Sequence, residues 1–386
     1  MGGKVGYIIN CGKMKPTLID PKEESLSDFR KHFPVERELD NYRELLGELF
    51  LVRNPHFRFG GDHTHELAAF FEEHFAGGPE AKAGAWAYFP WSKMLIHYLK
   101  EAEHLELRTA RNKNLITADE QAKFYGCRVG IAGLSVGSHA ALTLAMMGGA
   151  QALKLADPDT ISGSNLNRIR ADFTDVGTKK IDFVSRQIYQ MNPYAEISEY
   201  GEGVSAANIP EFMDGLDVLV EELDQFEMKI RLRLEAKKRG IPVVMATDNG
   251  DNIIFDIERY DLIPGLQIFN GSLGNFTLED LAKTLPTEFP KIATKIAGTS
   301  LVVPRMLGSV LEVGRTLYSW PQLGDAATLA GVAVAYVVRK LALKEPLRNG
   351  KLEVNLNSVF DADYSTPEGV AARESGRKKI LDLLGL

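Results

Sequence analysis

The sequence predicts an α/β fold: a mostly parallel β-sheet with helices on both faces, preceded by an N-terminal extension and followed by a C-terminal α/β region. Three observations predict it. Short apolar runs alternate with helix-length segments between residues 108 and 260. A glycine turn, Gly133-Leu-Ser-Val-Gly137-Ser138, joins the first run to the first helix, and an acid, Asp157, closes the second run. Strands this short, separated by helices, form βαβ units whose sheet is covered on both faces. Right-handed crossovers then bring the loops after the strands to one edge, where ligands bind.

Each element has its own signal. Residues 1–105 are aromatic-rich and irregular, with a short helix near Glu66 to Phe75 and a Gly-Gly-Pro break at Gly77 to Pro79. The cluster Trp86, Tyr88, Phe89 and Trp91 is read as core packing against a helix from Lys93 to Glu103. In residues 106–260, CRVGIAG is the first strand and Ser138 to Met147 a helix. ALKLAD is the second strand, and Lys180 to Met191 a helix closed by Asn192-Pro193. AEISEY and LDVLVEEL are the third and fourth strands. Lys229 to Arg239 is a helix stopped by Gly240, and IPVVMAT is the fifth strand. In residues 261–386 the strand-like pieces are LQIFNGSL and KLEVNLNSVF. The helices there are Leu329 to Leu343 and a polar one after Pro367.

Composition narrows the function. Hydrophobic residues at 45% and charged residues at 25% are those of a water-soluble globular protein. A net charge of −7 without a long basic run argues against nucleic-acid binding. The longest apolar run, Leu329 to Val338, is too short to span a bilayer, and MGGKVGYIIN lacks a signal-peptide layout and a myristoylation motif. A cytoplasmic enzyme is expected. The cysteines are Cys11 and Cys127, so there is neither a disulfide framework nor a CxxC zinc pair.

The glycine turn lets backbone approach a phosphate, and the helix N-terminus behind it offers free N–H groups. A tight strand–helix turn without any ligand would look the same. Asp157 follows Gly137 at the spacing of a ribose-binding acid, and the alternative role of the Asp157–Thr160 stretch is capping. Asn165, Arg168 and the pair Lys179-Lys180 come next. A hydride-transfer enzyme has no use for them there, whereas cleavage of a phosphoanhydride needs fixed donors where charge develops. Asp224, at the carboxyl edge of the fourth strand, is placed to hold Mg²⁺, which takes one or two carboxylates plus phosphate oxygens. Glu221 and Glu222 precede it on opposite faces. Asp248, Asn249 and Asp251 after the fifth strand either line an acceptor side or form a plain turn. His139 either touches phosphate or packs, and His63, His65 and His74 lack a third metal ligand.

The segments GLSVGS, LADPDTISGSNLNR, VGTKK and ELDQFEMKIR resemble the ThiF/MoeB/HesA family, the adenylating enzymes related to ubiquitin-activating enzyme. The resemblance spans roughly residues 105 to 260 and implies a Rossmann-like fold and ATP-dependent activation of a carboxylate as an acyl-adenylate. It implies ATP bound by Gly133, Ser135, Gly137, Asp157, Ser164, Asn165, Arg168 and Lys180. Asp224 would hold Mg²⁺, and Arg111, within Arg108-Thr-Ala-Arg111-Asn112, would act across a homodimer interface. The substrate implied is the carboxylate of a small carrier protein, a peptide or a metabolite. Three departures stand out. The glycine turn is one residue shorter than the family's, with Ser135 near its third glycine, and Gln225 replaces the usual Asn. No cysteine follows Cys127, so neither zinc nor an enzyme thioester is expected. An NAD- or FAD-dependent oxidoreductase and a catalytically quiet partner subunit are the alternatives.

Overall fold

The computed structural model describes residues 14–285 and 288–386; Cys11 and the N-terminal stretch lie outside them. The chain divides into two compact units, one of residues 1–117 with 185–195 and the other of 118–184 with 196–386.

The first unit carries a four-stranded sheet of β1 (Thr17–Ile19), β2 (Arg37–Asp40), β3 (Ala85–Phe89) and β4 (Met94–Tyr98), ordered β1-β3-β4-β2. Strand β4 corrects the expected helix from Lys93 to Glu103: the helix starts only at Glu101 and runs to Arg108. The reason is a hairpin. Ser92 N–H donates to the Phe89 carbonyl at 3.2 Å and Lys93 adopts a positive φ of 51°, which turns the chain back onto β3. The apolar run Met94-Leu-Ile-His-Tyr98 is also too short for a helix. Trp86, Tyr88 and Phe89 are buried. Trp86 stacks on His97 at 4.3 Å, and His97 is held between Asp40 and the Ala83 carbonyl at 2.9 Å each. These aromatics are core.

The second unit is the predicted α/β fold. Its strands are β5 (Arg128–Ala132), β6 (Ala152–Ala156), β7 (Glu196–Tyr200), β8 (Val218–Glu221), β9 (Val243–Asn249), β10 (Asn252–Glu258) and β11 (Gly350–Val354). They form one sheet in the order β11-β10-β9-β8-β5-β6-β7. All neighbouring pairs from β9 to β7 are parallel, and β10 runs against both its neighbours. Because β5 leads to β6 on one side while β8 lies on its other side, the switch point falls between β5 and β8.

Helices cover both faces. Leu219, Val243 and Met245 pack with Ile230, Leu232 and Ala236 of the helix Phe226–Arg239. The helix Gly324–Ala342 packs on β9 and against the helix Val136–Met146. Gly331 permits that last contact: a Cβ there would lie 2.2 Å from the His139 Cβ. Among the described residues no helix is long and apolar enough to cross a membrane.

Two further expectations are corrected in this unit. IPVVMAT extends through Asn249, and a two-residue loop, Gly250-Asp251, returns the chain as β10. Gly250 takes a positive φ of 70°, as the first residue of a two-residue hairpin loop commonly does. LQIFNGSL forms the 3₁₀ helix Ile268–Gly271. Phe269 N–H donates to Glu258 at 2.6 Å and the Asn270 side chain bonds Asp256. Both residues sit in left-handed backbone, at φ of 53° and 51°. Tertiary polar anchors overrule the local strand pattern.

Candidate active site

The loops after β5, β6, β8 and β9 meet at the carboxyl edge of the sheet. After β5, Gly133 has a φ of 93°, and a Cβ on it would lie 2.4 Å from the Glu222 carbonyl oxygen, so only glycine lets the turn pass the end of β8. A Cβ on Gly137 would come 2.8 Å from Ile131 Cγ2, so that glycine seats the helix on the strand. Ser135 is the residue just ahead of that helix. Its hydroxyl accepts a bond from Arg168 Nε at 3.3 Å, a contact that a glycine at this position could not make.

Asp157 is buried and clasps the turn. Its Oδ2 accepts Leu134 N–H at 2.7 Å, and its Oδ1 accepts Asp159 N–H at 2.8 Å. Burial pushes its carboxyl up from the usual range, and Lys180 opposes this. Lys180, the first residue of the helix Lys180–Met191, lies 2.9 Å from Asp159 and 3.8 Å from Asp157. The Asp159 side chain is 66% exposed, which makes it the more accessible acid of the pair.

Asn165 and Ser164 lie in the short 3₁₀ helix Gly163–Asn165. The Asn165 side-chain oxygen accepts Ser162 N–H at 3.0 Å, fixing the turn that aims Arg168. Arg168 Nη1 donates to the Ser164 carbonyl and to Asn167 Oδ1, each at 3.0 Å. No hydrogen bond is recorded for its Nη2 among the described residues, which leaves that nitrogen's donors available to a phosphate or carboxylate. Burial pushes the guanidinium pKa down, while Asp248 and Asp224 push it up. His139 holds this segment from behind, with Nε2 2.5 Å from the Arg168 carbonyl oxygen. It is 2% exposed and burial lowers its pKa, so it packs as a neutral ring.

Asp224 is exposed just past β8, next to Gln225 at the start of the helix Phe226–Arg239. Asp224 and Asp248 both lie close enough to act on the Arg168 guanidinium. No group of three or more His, Cys, Asp or Glu able to hold a metal occurs among the described residues. An accessible carboxylate near an arginine, as Asp224 is near Arg168, is a donor set that fits Mg²⁺ only if other oxygens complete the shell.

The sequence singled out Asp248 but missed its neighbours Gln322 and Asp325. Asp248 is the last but one residue of β9, 5% exposed. Its Oδ2 accepts a bond from Gln322 Nε2 at 3.0 Å, and its Oδ1 has no partner among the described residues. Burial pushes its carboxyl up to about 6; Gln322 and Arg168 lower it and Asp325 raises it. The Gln322 carbonyl also accepts Asn167 Nδ2 at 2.8 Å. Gln322 and Asp325 come from the distant segment that leads into the helix Gly324–Ala342, and no local motif flags them. Asn249 instead pins residues 301–303 by bonds to the Leu301 carbonyl and Val303 N–H, and Asp251 sits in the hairpin loop.

Arg111 lies in the first unit, in the short 3₁₀ helix Ala110–Asn112. Cys127 is buried, and burial pushes its thiol up to about 12. Such a thiol is no nucleophile at neutral pH.

Residues 109–250 match the ThiF family. The chain is 38% identical to an uncharacterized protein of Mycobacterium tuberculosis over 280 residues, 72% of this chain and 39% of that protein. It is 34% identical to tRNA threonylcarbamoyladenosine dehydratase of Bacillus subtilis over 111 residues, 28% of this chain and 43% of that one. To the SAMP-activating enzyme E1 of Haloferax volcanii it is 30% identical over 127 residues, 32% of this chain and 46% of that one. The matched region thus spans less than half the length of each of these relatives. Among solved structures, E. coli tRNA N6-threonylcarbamoyladenosine dehydratase in complex with AMP gives a TM-score of 0.44 at 20% identity, covering 62% of this chain and 96% of that one.

Proposed function

We propose that this chain, through the region that matches the ThiF family, is an ATP-dependent adenylyltransferase that activates a carboxylate as an acyl-adenylate. One observation carries this reading. At the switch point of the sheet, Arg168 is held by Ser135, Ser164 and Asn167 and keeps Nη2 available, with Asp224 and Asp248 close enough to oppose the lowering that burial imposes on its pKa. That is a cation fixed at the glycine turn for an anion that has to arrive from outside. The SAMP-activating enzyme E1 among the relatives is an activating enzyme by its own name, which agrees with this reading.

The chemistry needs no side-chain nucleophile. A carboxylate oxygen of the substrate attacks the α-phosphorus of ATP, the bond to the bridging oxygen breaks, and pyrophosphate departs with the electron pair. Arg168 stabilises charge developing on the α-phosphate. Lys180 exchanges Asp159 for a phosphate oxygen, and Asp157 or Asp159 receives the ribose hydroxyls. Gly133, Gly137, Ser164 and Asn165 shape the cradle. Asp224 would hold Mg²⁺, which supplies charge neutralisation on the leaving pyrophosphate. Arg111 would complete the site from a second copy in a homodimer. Cys127 is buried and no cysteine follows it in the sequence, so in this reading the acyl group passes from adenylate to acceptor without an enzyme thioester.

Exchange of labelled pyrophosphate into ATP, with Mg²⁺ and pools of free amino acids and of peptides with free C-termini, tests this. Exchange above background is expected in wild type, and loss in Arg168→Ala and Asp224→Ala variants with unchanged melting. Normal exchange in both variants would remove the site assignment.

A further inference from the structure

Around Arg168 the acids outnumber the bases. Asp224 and Asp248 act on the guanidinium, and Asp325 acts on Asp248. Lys180, a second cation nearby, already faces Asp157 and Asp159. A pocket that takes a triphosphate and a carboxylate is worsened by surplus negative charge, because like charges in a poorly hydrated site repel strongly. A divalent cation on the phosphates would absorb Asp224. That leaves over Asp248, whose carboxyl is buried and held by Gln322, and Asp325.

Asp248 carries a second, independent sign. It is 5% exposed, and its Oδ1 is buried without a hydrogen-bond partner among the described residues. A native fold leaves such an oxygen unsatisfied only at a cost, unless a donor arrives with a ligand. Gln322 fixes the other oxygen at 3.0 Å and so sets how the carboxyl presents Oδ1. Asp325 is exposed in the first turn of the helix Gly324–Ala342.

The sheet order says which part of the substrate comes here. Along β6-β5-β8-β9, the strands deliver in turn the ribose acid Asp157, the glycine turn, Asp224 and Asp248. With ribose and phosphates over β6 and β5, Asp248 lies beyond Asp224 on the side away from the ribose. That side is left for the carboxylate that attacks.

Resting on the adenylation reading, we propose that the substrate bears a protonated amine close to its carboxyl group, as an amino acid does. Asp248 receives this amine through Oδ1, and Asp325 draws it in. Arg168 and the amine site then bracket the carboxyl, placing it against the α-phosphate.

Stable mimics of the adenylate test this without turnover. Calorimetry would compare 5′-O-(N-glycylsulfamoyl)adenosine with the N-propionyl compound, which has a methyl group in place of the amine, and AMP would be titrated alongside. The glycyl compound should bind wild type at least about tenfold more tightly than the propionyl one, as expected for a charge-assisted contact. That preference should vanish in Asp248→Asn, a near-isosteric change, and shrink in Asp325→Asn, whose site is exposed and tolerant. Equal binding of the two compounds to wild type, or a preference that survives Asp248→Asn, overturns the amine assignment while leaving adenylation standing. If AMP and both mimics all fail to bind wild type, the adenylation reading falls and this inference with it.

Discussion

Two charged clusters lie in the same unit, and they are built on opposite terms. Around Arg233 everything is closed. Its Nη1 meets Glu221 at 2.5 Å, its Nε meets Glu258 at 2.6 Å, and its guanidinium lies 4.0 Å from the Phe269 ring centroid. Glu221 also holds Lys229 at 3.1 Å, and Glu258 also accepts Tyr260 Oη at 2.5 Å and Phe269 N–H at 2.6 Å. Around Arg168 the accounts stay open: Nη2 is spare, Asp248 Oδ1 is orphaned, and the acids are in excess. Charge that is fully paired fixes a fold. Charge left incomplete at a sheet edge is kept for something that binds.

The sharpest way to break this comparison is to remove each arginine. Arg233→Ala strands two buried carboxylates and is expected to cost about 3–5 kcal/mol, read as a fall in the urea midpoint or as loss of soluble protein. Arg168→Ala should leave the urea midpoint nearly unmoved while pyrophosphate exchange drops by about 10²–10³. If the two variants behave alike in denaturation, the contrast between closed and open clusters is wrong.

Next in size is Asp248→Asn. Folding lifts the Asp248 carboxyl from 3.8 to about 6, so the folded state binds the proton more tightly than the unfolded chain does. Stability is therefore lost as pH rises from about 4 to about 6, and the full penalty applies above that window. Replacing the acid by the amide should stabilise the protein at pH 7.5 by up to about 3 kcal/mol, by roughly half of that at pH 5, and by nothing near pH 3.5. Urea titrations at the three pH values read this out. A gain independent of pH would mean that Asp248 is not the titrating group.

The smallest effect is expected from Gly331→Ala. The added methyl would meet His139 at 2.2 Å, costing about 1–3 kcal/mol through displaced helices. Because His139 holds the Arg168 carbonyl, AMP affinity should fall in step with the melting temperature. A loss of stability with AMP binding intact would show that the helix contact does not support the arginine.

Legibility in the sequence followed distance along the chain. The strands β5, β6, β8 and β9 were readable because interior parallel strands are continuous apolar runs. Asp157, Asn165, Arg168 and Lys180 were readable because they follow one another in the single segment from the end of β6 to the start of the helix Lys180–Met191. Strand β4 was missed since a five-residue apolar run fits either period, and its hairpin turn carried no glycine. The 3₁₀ turn at Phe269 was missed because Glu258 and Asp256, on another strand, dictate it. Gln322, Asp325 and Gly331 were invisible for the same reason: each matters only through what it touches.

That separation has a consequence for how the site comes into being. Asn167 and Gln322, joined by one hydrogen bond, are 155 residues apart. Closing a loop of that length costs chain entropy on the order of 4–5 kcal/mol, and only the complete packing of the late helix on the early one offsets it. The Arg168 segment is thus held mostly by neighbours in sequence, Ser164 and Asn167. The place for the substrate exists only after the last long loop has closed. On the adenylation reading, a chain in which this last packing has not formed lacks the Gln322 and Asp325 side of the site, so no mixed anhydride would be made before the fold is complete.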